Sequence, residues 1–291
     1  VTDKDKSKDE SKEEQQLARE HSSPRAVIIH EIIREDGEQE LTRTVSALTH
    51  SGLAGGLSMG FSFLTQALLM VNMGSMSLVG EGRLFTCLGY TIGFVFVVLG
   101  RQQLFTESTL TAVLPLFTQL DLHKLYLTAR LWLIVLVVNL IGTWLFAMLL
   151  TVKPIFPPHV TEALHVLAGG TLGQPFWIIF LRAVMAGWLI ALMVWILPSA
   201  QSARLLTIIL ITYVVGLGGF VHVVAGSTEF AYAVLTGQTN PGSYFTVFLF
   251  PTLLGNIAGG VTLVTLLNHG SIAPEIGDKE KSSSPKKGSA R

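Results

Sequence analysis

The chain has 291 residues, of which 49% are hydrophobic and 14% charged, against roughly 25% charged in an ordinary soluble protein. The 20 basic and 20 acidic side chains cancel, so net charge points to neither a nucleic-acid partner nor an acidic tail. Residues 1–47 hold 8 basic and 12 acidic side chains, residues 271–291 hold 5 and 3, and residues 48–270 only 7 and 5. That partition, with a mean hydropathy of +0.53, excludes a soluble globule and leaves an all-α integral membrane protein with two polar tails. The single cysteine, Cys87, excludes an intrachain disulfide and a cysteine-based zinc site.

Residues 1–22 are mostly Lys, Asp, Glu, Ser and Gln, a composition that cannot bury enough apolar surface to offset the entropy of ordering, and are read as a disordered tail. Ser23 and Pro24 give a helix-start signal, and Val27, Ile28, Ile32 and Ile33 form an apolar stripe opposite Arg34, Glu35 and Asp36. Residues 23–47 are therefore expected as an amphipathic helix at the membrane surface, with a docking face for a partner subunit as the alternative.

Six apolar segments follow, over residues 48–71, 84–117, 125–150, 176–197, 205–235 and 244–267, each reaching the roughly 20 residues that a bilayer core demands. They define a transmembrane domain over residues 48–270. With no basic region and cleavage site before the first of them, and with Lys124, Arg130, Arg204 and the lysines of the tail at residues 271–291 on one side, both termini are expected in the cytoplasm.

The second and fifth segments are abnormal, and they occupy corresponding places in two halves. The second is interrupted by Gly100-Arg101-Gln102-Gln103-Leu104-Phe105-Thr106-Glu107-Ser108, the fifth by Gly216-Leu217-Gly218-Gly219-Phe220-Val221-His222. Non-helical backbone at membrane depth survives only where it is buried in protein or lines a wet cavity. Broken helices in matching positions are the mark of an inverted (3+3) repeat with its site near the midplane. Gly52, Gly55, Gly56 and Gly60 in the first segment, and Gly255, Gly259 and Gly260 in the sixth, have the spacing that lets membrane helices approach closely; Asn256 among them is a candidate polar group for a pore.

Leu104-Phe105-Thr106 in the second span, His222 in the fifth, and Pro251-Thr252-Leu253-Leu254-Gly255-Asn256-Ile257-Ala258-Gly259-Gly260 in the sixth together resemble the formate/nitrite transporter family, closest to a bacterial inner-membrane branch of it. The resemblance covers roughly residues 49–267. It implies an aquaporin-like fold of six helices, a homopentamer with one pore per protomer, a small monovalent anion as substrate, and no cofactor. Carried over by position, it makes His222 the central pore histidine, Thr106 the loop residue facing it, and Leu104 and Phe105 an apolar constriction. Tyr90 and Phe94 fall on the face where further constriction side chains lie, Val215 sits at a position often aromatic, and Arg182 replaces a basic residue of the fourth span. The chain departs from the family pattern at Gln103 and Val221, where acidic residues are usual, and at Gly226 and Gly187, where asparagines are.

Two roles are open for His222: a protonated imidazole that donates a proton to a weak-acid anion before it crosses the dry constriction, or a neutral imidazole that hydrogen-bonds Thr106 or a backbone carbonyl. Arg101 and Glu107 are expected to pair across the second-span break rather than to touch substrate. Glu229, seven residues beyond His222 on what reads as one helical face, is either a proton path or a solvated residue near the interface. The other histidines, His21, His30, His50, His123, His159, His165 and His269, lack ligand spacing, so no metal is expected. A phosphate-loop motif is absent, and the chain reads as a channel or secondary transporter for formate- or nitrite-like anions and not as an enzyme. A neutral-solute channel for water or polyols, and a non-conducting membrane scaffold or sensor, are the alternatives.

Overall fold

A computed structural model describes residues 25–74, 81–118 and 121–267; the tails, with Ser23, Pro24, His21, His269 and the C-terminal lysines, lie outside the described residues. Every described element is helical: α1 (Ala26–Thr42), α2 (Val45–Asn72), α3 (Glu81–Leu99), α4 (Phe105–Thr111), α5 (Val113–Thr118), α6 (Leu122–Leu150), α7 (Pro158–Gly169), α8 (Phe176–Ile196), α9 (Arg204–Gly218), α10 (Ala225–Leu235) and α11 (Pro241–Leu266), the last with a π-helical turn at Tyr244–Leu249. Six are long and apolar enough to cross a membrane: α2, α3, α6, α8, α9 with the 3₁₀ turn before it, and α11.

Local chemistry sets several helix starts. The Thr44 hydroxyl accepts the Ala47 N–H before α2, the Asp121 carboxylate accepts the His123 N–H before α6, and the Asn240 side chain accepts the Ser243 N–H before α11. Each satisfies a donor that a helix N-terminus leaves unpaired.

Lipid tails are as apolar as leucine, so helices in a bilayer associate through close packing and hydrogen bonds. Two crossings carry that logic. At the α2–α6 crossing, a Cβ on Gly56 would lie 2.2 Å from the Asn139 carbonyl oxygen, and one on Gly142 would lie 2.7 Å from the Leu53 carbonyl oxygen. At the α8–α11 crossing, a Cβ on Gly187 would lie 2.2 Å from the Asn256 carbonyl oxygen, and one on Gly259 would lie 2.1 Å from that of Val184. The spacing from Leu53 to Val184 equals that from Gly56 to Gly187, and the spacing from Asn139 to Asn256 equals that from Gly142 to Gly259. The two crossings are built on one plan.

The first helix departs from its expected face. The side chains α1 buries are Ile29, His30, Ile33 and Leu41, along with Gly37, while Ile28 and Ile32 are exposed. Consecutive isoleucines at 28–29 and 32–33 allow two stripes, and packing selects the one that includes Gly37, where a Cβ would meet the Thr111 carbonyl oxygen at 2.0 Å. The helix thus docks on α4 and α5, held by the Glu40 carboxylate, which accepts hydrogen bonds from Thr111 Oγ1 (2.7 Å) and Gln103 Nε2 (3.2 Å). Burial pushes the Glu40 carboxyl above its ordinary value, against the two hydrogen bonds that lower it. Helix α7, started by Pro157 and Pro158, has no counterpart among the six apolar segments read from the sequence; it buries Val160, Ala163, Leu164 and Leu167 between α2 and α10.

Candidate solute pathway

Helix α3 ends at Leu99 and α4 starts at Phe105; α9 ends at Gly218 and α10 starts at Ala225. The loops between, residues 100–104 and 219–224, turn the same way. Each has a residue in the left-handed region, Arg101 (φ 49°) and Gly219 (φ 62°). Each closes its helix with paired backbone bonds: Gln102 N–H to Val97 O and Arg101 N–H to Val98 O in the first, Phe220 N–H to Val215 O and Gly219 N–H to Gly216 O in the second. This is the left-handed closure that satisfies carbonyls at a helix C-terminus.

A buried asparagine then brackets each loop. Asn139 Oδ1 accepts the Phe105 N–H (3.0 Å), and its Nδ2 donates to Gln103 O (3.0 Å) and Gly52 O (2.6 Å). Asn256 Oδ1 accepts the Val223 N–H (2.8 Å), and its Nδ2 donates to Val221 O (3.0 Å) and Ala183 O (2.8 Å). The polar group of Asn256 is therefore spent on backbone, which corrects its assignment to a pore lining. Asn139 was not expected; the repeated Asn-x-x-Gly of Asn139–Gly142 and Asn256–Gly259 is the sequence signal that marks both.

The loops bring their chemistry together at the centre. His222 and Thr106 are buried, 1% and 0% exposed, and His222 Nε2 lies 2.6 Å from Thr106 Oγ1. The other ring nitrogen, Nδ1, accepts the N–H groups of Ala225 (3.1 Å) and Val224 (3.3 Å). Two fixed donors at Nδ1 leave the ring proton on Nε2, pointing at Thr106. Phe94 meets the imidazole edge-to-face at 5.0 Å, Tyr90 packs on Phe94 at 5.4 Å, and Leu104 and Val215 are buried in the same apolar cluster. The Phe105 ring packs against Trp132 at 5.8 Å.

Two cavities flank this plug, and neither lining includes Thr106 or His222. The first, about 960 Å³, is bordered by Glu40 of α1, Arg43 just after it, Arg101 and Gln103 of the first loop, Glu107 of α4, and Arg204. The second, about 160 Å³, is bordered by Gln66, Arg83, Arg182, Gly219, Val221 and Glu229. Their walls correspond in register: Val98, Arg101, Gln103 and Thr111 in the first stand as far along the chain from Gly216, Gly219, Val221 and Glu229 in the second as Arg101 does from Gly219.

Two expected relations are not formed. Among the described residues, ion pairs join Arg34 to Glu31 and Glu38, and Lys124 to Glu38, but not Arg101 to Glu107; Arg101 is exposed, and Glu107 Oε1 is buried without a hydrogen-bond partner. Since α4 starts between them, the two do not share a helical face. Likewise His222 precedes α10, so its seven-residue spacing to Glu229 does not run along one helix. Arg182 does reach the second cavity, with Glu229. Gln66, Arg83 and Glu40 went unnoticed because an amide in an apolar helix, an arginine at a span end and a carboxylate on a surface helix each read as ordinary. Among the described residues no group of three or more His, Cys, Asp or Glu side chains is placed to hold a metal ion.

A membrane-spanning helical fold centred on two matched loops is that of a transporter or channel. The chain belongs to the formate/nitrite transporter family, whose description it matches over residues 27–270. It is 39% identical over 263 residues to the inner membrane protein YfdC of Escherichia coli (strain K12), covering 90% of this chain and 84% of that one. It is 29% identical over 178 residues to the uncharacterized transporter YwcJ of Bacillus subtilis (strain 168), covering 58% and 68%. Among solved structures, a pentameric formate channel with formate bound superposes with a TM-score of 0.64 at 20% identity, over 76% of this chain and 95% of that one. An FNT family ion channel superposes with a TM-score of 0.58 at 18% identity, over 88% and 99%. Those two likenesses establish a shared fold.

Proposed function

We propose that this chain is a channel or secondary transporter for small monovalent weak-acid anions of the formate and nitrite kind. In this reading α3 with α4, and α9 with α10, are broken second and fifth spans of an aquaporin-like 3+3 inverted repeat. The matched loops, asparagine brackets and cavity walls support that repeat. The formate-bound, pentameric neighbour and the inner-membrane relative support a homopentamer in a bacterial inner membrane; an even number of spans puts both termini on one side, and the basic residues of that side favour the cytoplasm.

The observation that carries the reading is the buried Thr106–His222 contact set between two cavities. A bare ion crossing such a dry plug faces a desolvation cost on the order of 20 kcal/mol in the idealised limit, and a neutral acid avoids most of it. Crossing as the neutral acid therefore suits the site. With Nδ1 engaged by two backbone donors, His222 acts as a neutral group that orients Thr106, whose hydroxyl hydrogen remains to be offered to a passing solute. The proton that neutralises the anion then comes from elsewhere than His222.

The test is uptake of labelled formate and nitrite by purified protein in proteoliposomes, beside a glycerol swelling assay. Uptake of the anions, rising as pH falls, supports the reading. Glycerol permeation without anion uptake would favour a neutral-solute channel, and no flux of any solute a scaffold.

A further inference from the structure

The second cavity holds polar groups that the central plug does not use. Gln66 of α2 is only 7% exposed, and among the described residues its Nε2 completes no hydrogen bond of ordinary length, the group it faces being the Glu229 carboxylate, an uncommon state for a buried amide. It borders the cavity beside Glu229 of α10, with Arg182 of α8 and Arg83 of α3 on the same wall. Arg83 also donates to Leu217 O (2.9 Å), tying it to the end of α9.

A buried amide group with no hydrogen bond of ordinary length favours a ligand that accepts one, and two guanidinium groups disfavour a cation. The Glu229 carboxylate beside the same space disfavours an anion unless one proton is shared between the two. The ligand class that meets all three demands is a small weak acid: one oxygen accepts from Gln66, and the other shares a proton with the Glu229 carboxyl. A cavity of about 160 Å³ has room for a solute of three or four heavy atoms, at ~30 Å³ for a water-sized unit.

We propose that Gln66 and Glu229, with Arg182 at the rim, form a protonation site for the anion on the far side of the plug from α1. This rests on the transport reading above. In the step, the O–H bond of protonated Glu229 breaks and an O–H bond forms on the anion. The solute becomes neutral and Glu229 a carboxylate, which is reprotonated from bulk water. Anions of strong acids cannot take that proton, so the site selects formate or nitrite over nitrate or chloride.

The groups around Glu229 are Arg83, Cys87 and Tyr90 of α3, and Arg182 of α8. From the other packed elements, α2 presents Gln66 and α6 presents Thr143, bonded to Ser227. Helix α7 presents His165, bonded to Gln238 and packed on Tyr232, and α11 presents Tyr244, bonded to Ser227. None of the last three reaches the cavity wall.

Two measurements test the site. In weakly buffered detergent solution, adding formate to the wild-type protein should draw protons from solution, and adding nitrate should not. Glu229→Gln should abolish that uptake, Glu229→Asp should retain it, and Gln66→Leu should weaken formate binding without changing the proton count. In proteoliposomes, Glu229→Gln should lower formate uptake by about tenfold or more, the low end of what a positioned proton donor contributes, and flatten its dependence on pH. His222→Asn should lower uptake and keep the pH slope. Proton uptake that persists in Glu229→Gln, or that nitrate elicits equally, overturns the site. If wild-type vesicles pass formate and Glu229→Gln changes neither rate nor slope, the site fails and the transport reading stands; if they pass no weak-acid anion, that reading fails, and the proton-uptake measurement still decides the site.

Discussion

The two loops share a frame and differ in chemistry. Left-handed turn, helix closure, asparagine bracket and glycine crossing recur at matching positions. Between the bracketed backbone groups, however, stands Leu104 in one loop and His222 in the other, and the turn is made by Arg101 in one and Gly219 in the other. The partner of Thr111 in this register is Glu229. Where the second cavity has that carboxylate on α10, the first receives one from outside, the Glu40 carboxylate that α1 lays on Thr111. The residues that hold the loop backbone are the same at the two matching positions, while the side chains between them and along the cavity walls differ.

The frame is where substitution should cost most. Asn139→Leu and Asn256→Leu each strip partners from three buried backbone groups at about 1–3 kcal/mol apiece, so both variants should lose the folded protein on size-exclusion chromatography in detergent. Survival of one alone would break the equivalence of the halves. Next come Gly56→Val and Gly187→Val, whose Cβ atoms would meet asparagine carbonyls. Overpacking of this sort costs about 1–3 kcal/mol or more, read as a lowered Tm of similar size in both.

The turn residues should respond with opposite sign. Gly219→Ala forces a side chain into the left-handed region and should destabilise by ~1 kcal/mol, whereas Arg101→Gly relieves the same strain and should stabilise by up to ~1 kcal/mol. Thermal unfolding of the two variants side by side measures it.

The smallest effect concerns α1. Burial raises the Glu40 carboxyl pKa in the docked state, so docked α1 binds more protons than free α1 and its docking weakens as pH rises. Docking is at full strength below the ordinary Glu value of about 4.3 and fades as pH passes the raised value. Hydrogen exchange of residues 26–42, corrected for intrinsic rate, should show falling protection with rising pH in the wild type and no such slope in Glu40→Gln.

Much of this was legible in the sequence. Six apolar runs of spanning length become six spanning helices, because hydrocarbon leaves the backbone few options. Non-helical residues 100–104 and 219–224 fall at the two interruptions, although helix claims part of each interrupted stretch: Thr106, Glu107 and Ser108 are helical, as are Gly216 to Gly218. The pairing of Thr106 with His222 came from family resemblance, since nothing local links residues so far apart. What stayed hidden depended on three-dimensional neighbours. Adjacent isoleucines left the buried face of α1 ambiguous until Gly37 met Thr111, and Asn139 read as one more polar residue in an apolar span. The Arg101–Glu107 pair suited their spacing, but a left-handed turn and a new helix start intervene.

The most direct measurement is uptake of labelled formate into proteoliposomes holding the purified wild-type protein, as a function of pH, with nitrate and glycerol alongside. Formate entry that rises as pH falls, with little entry of nitrate or glycerol, is the expected result. Glycerol or nitrate permeation at rates equal to or above those of formate, or no formate entry at any pH, would contradict it.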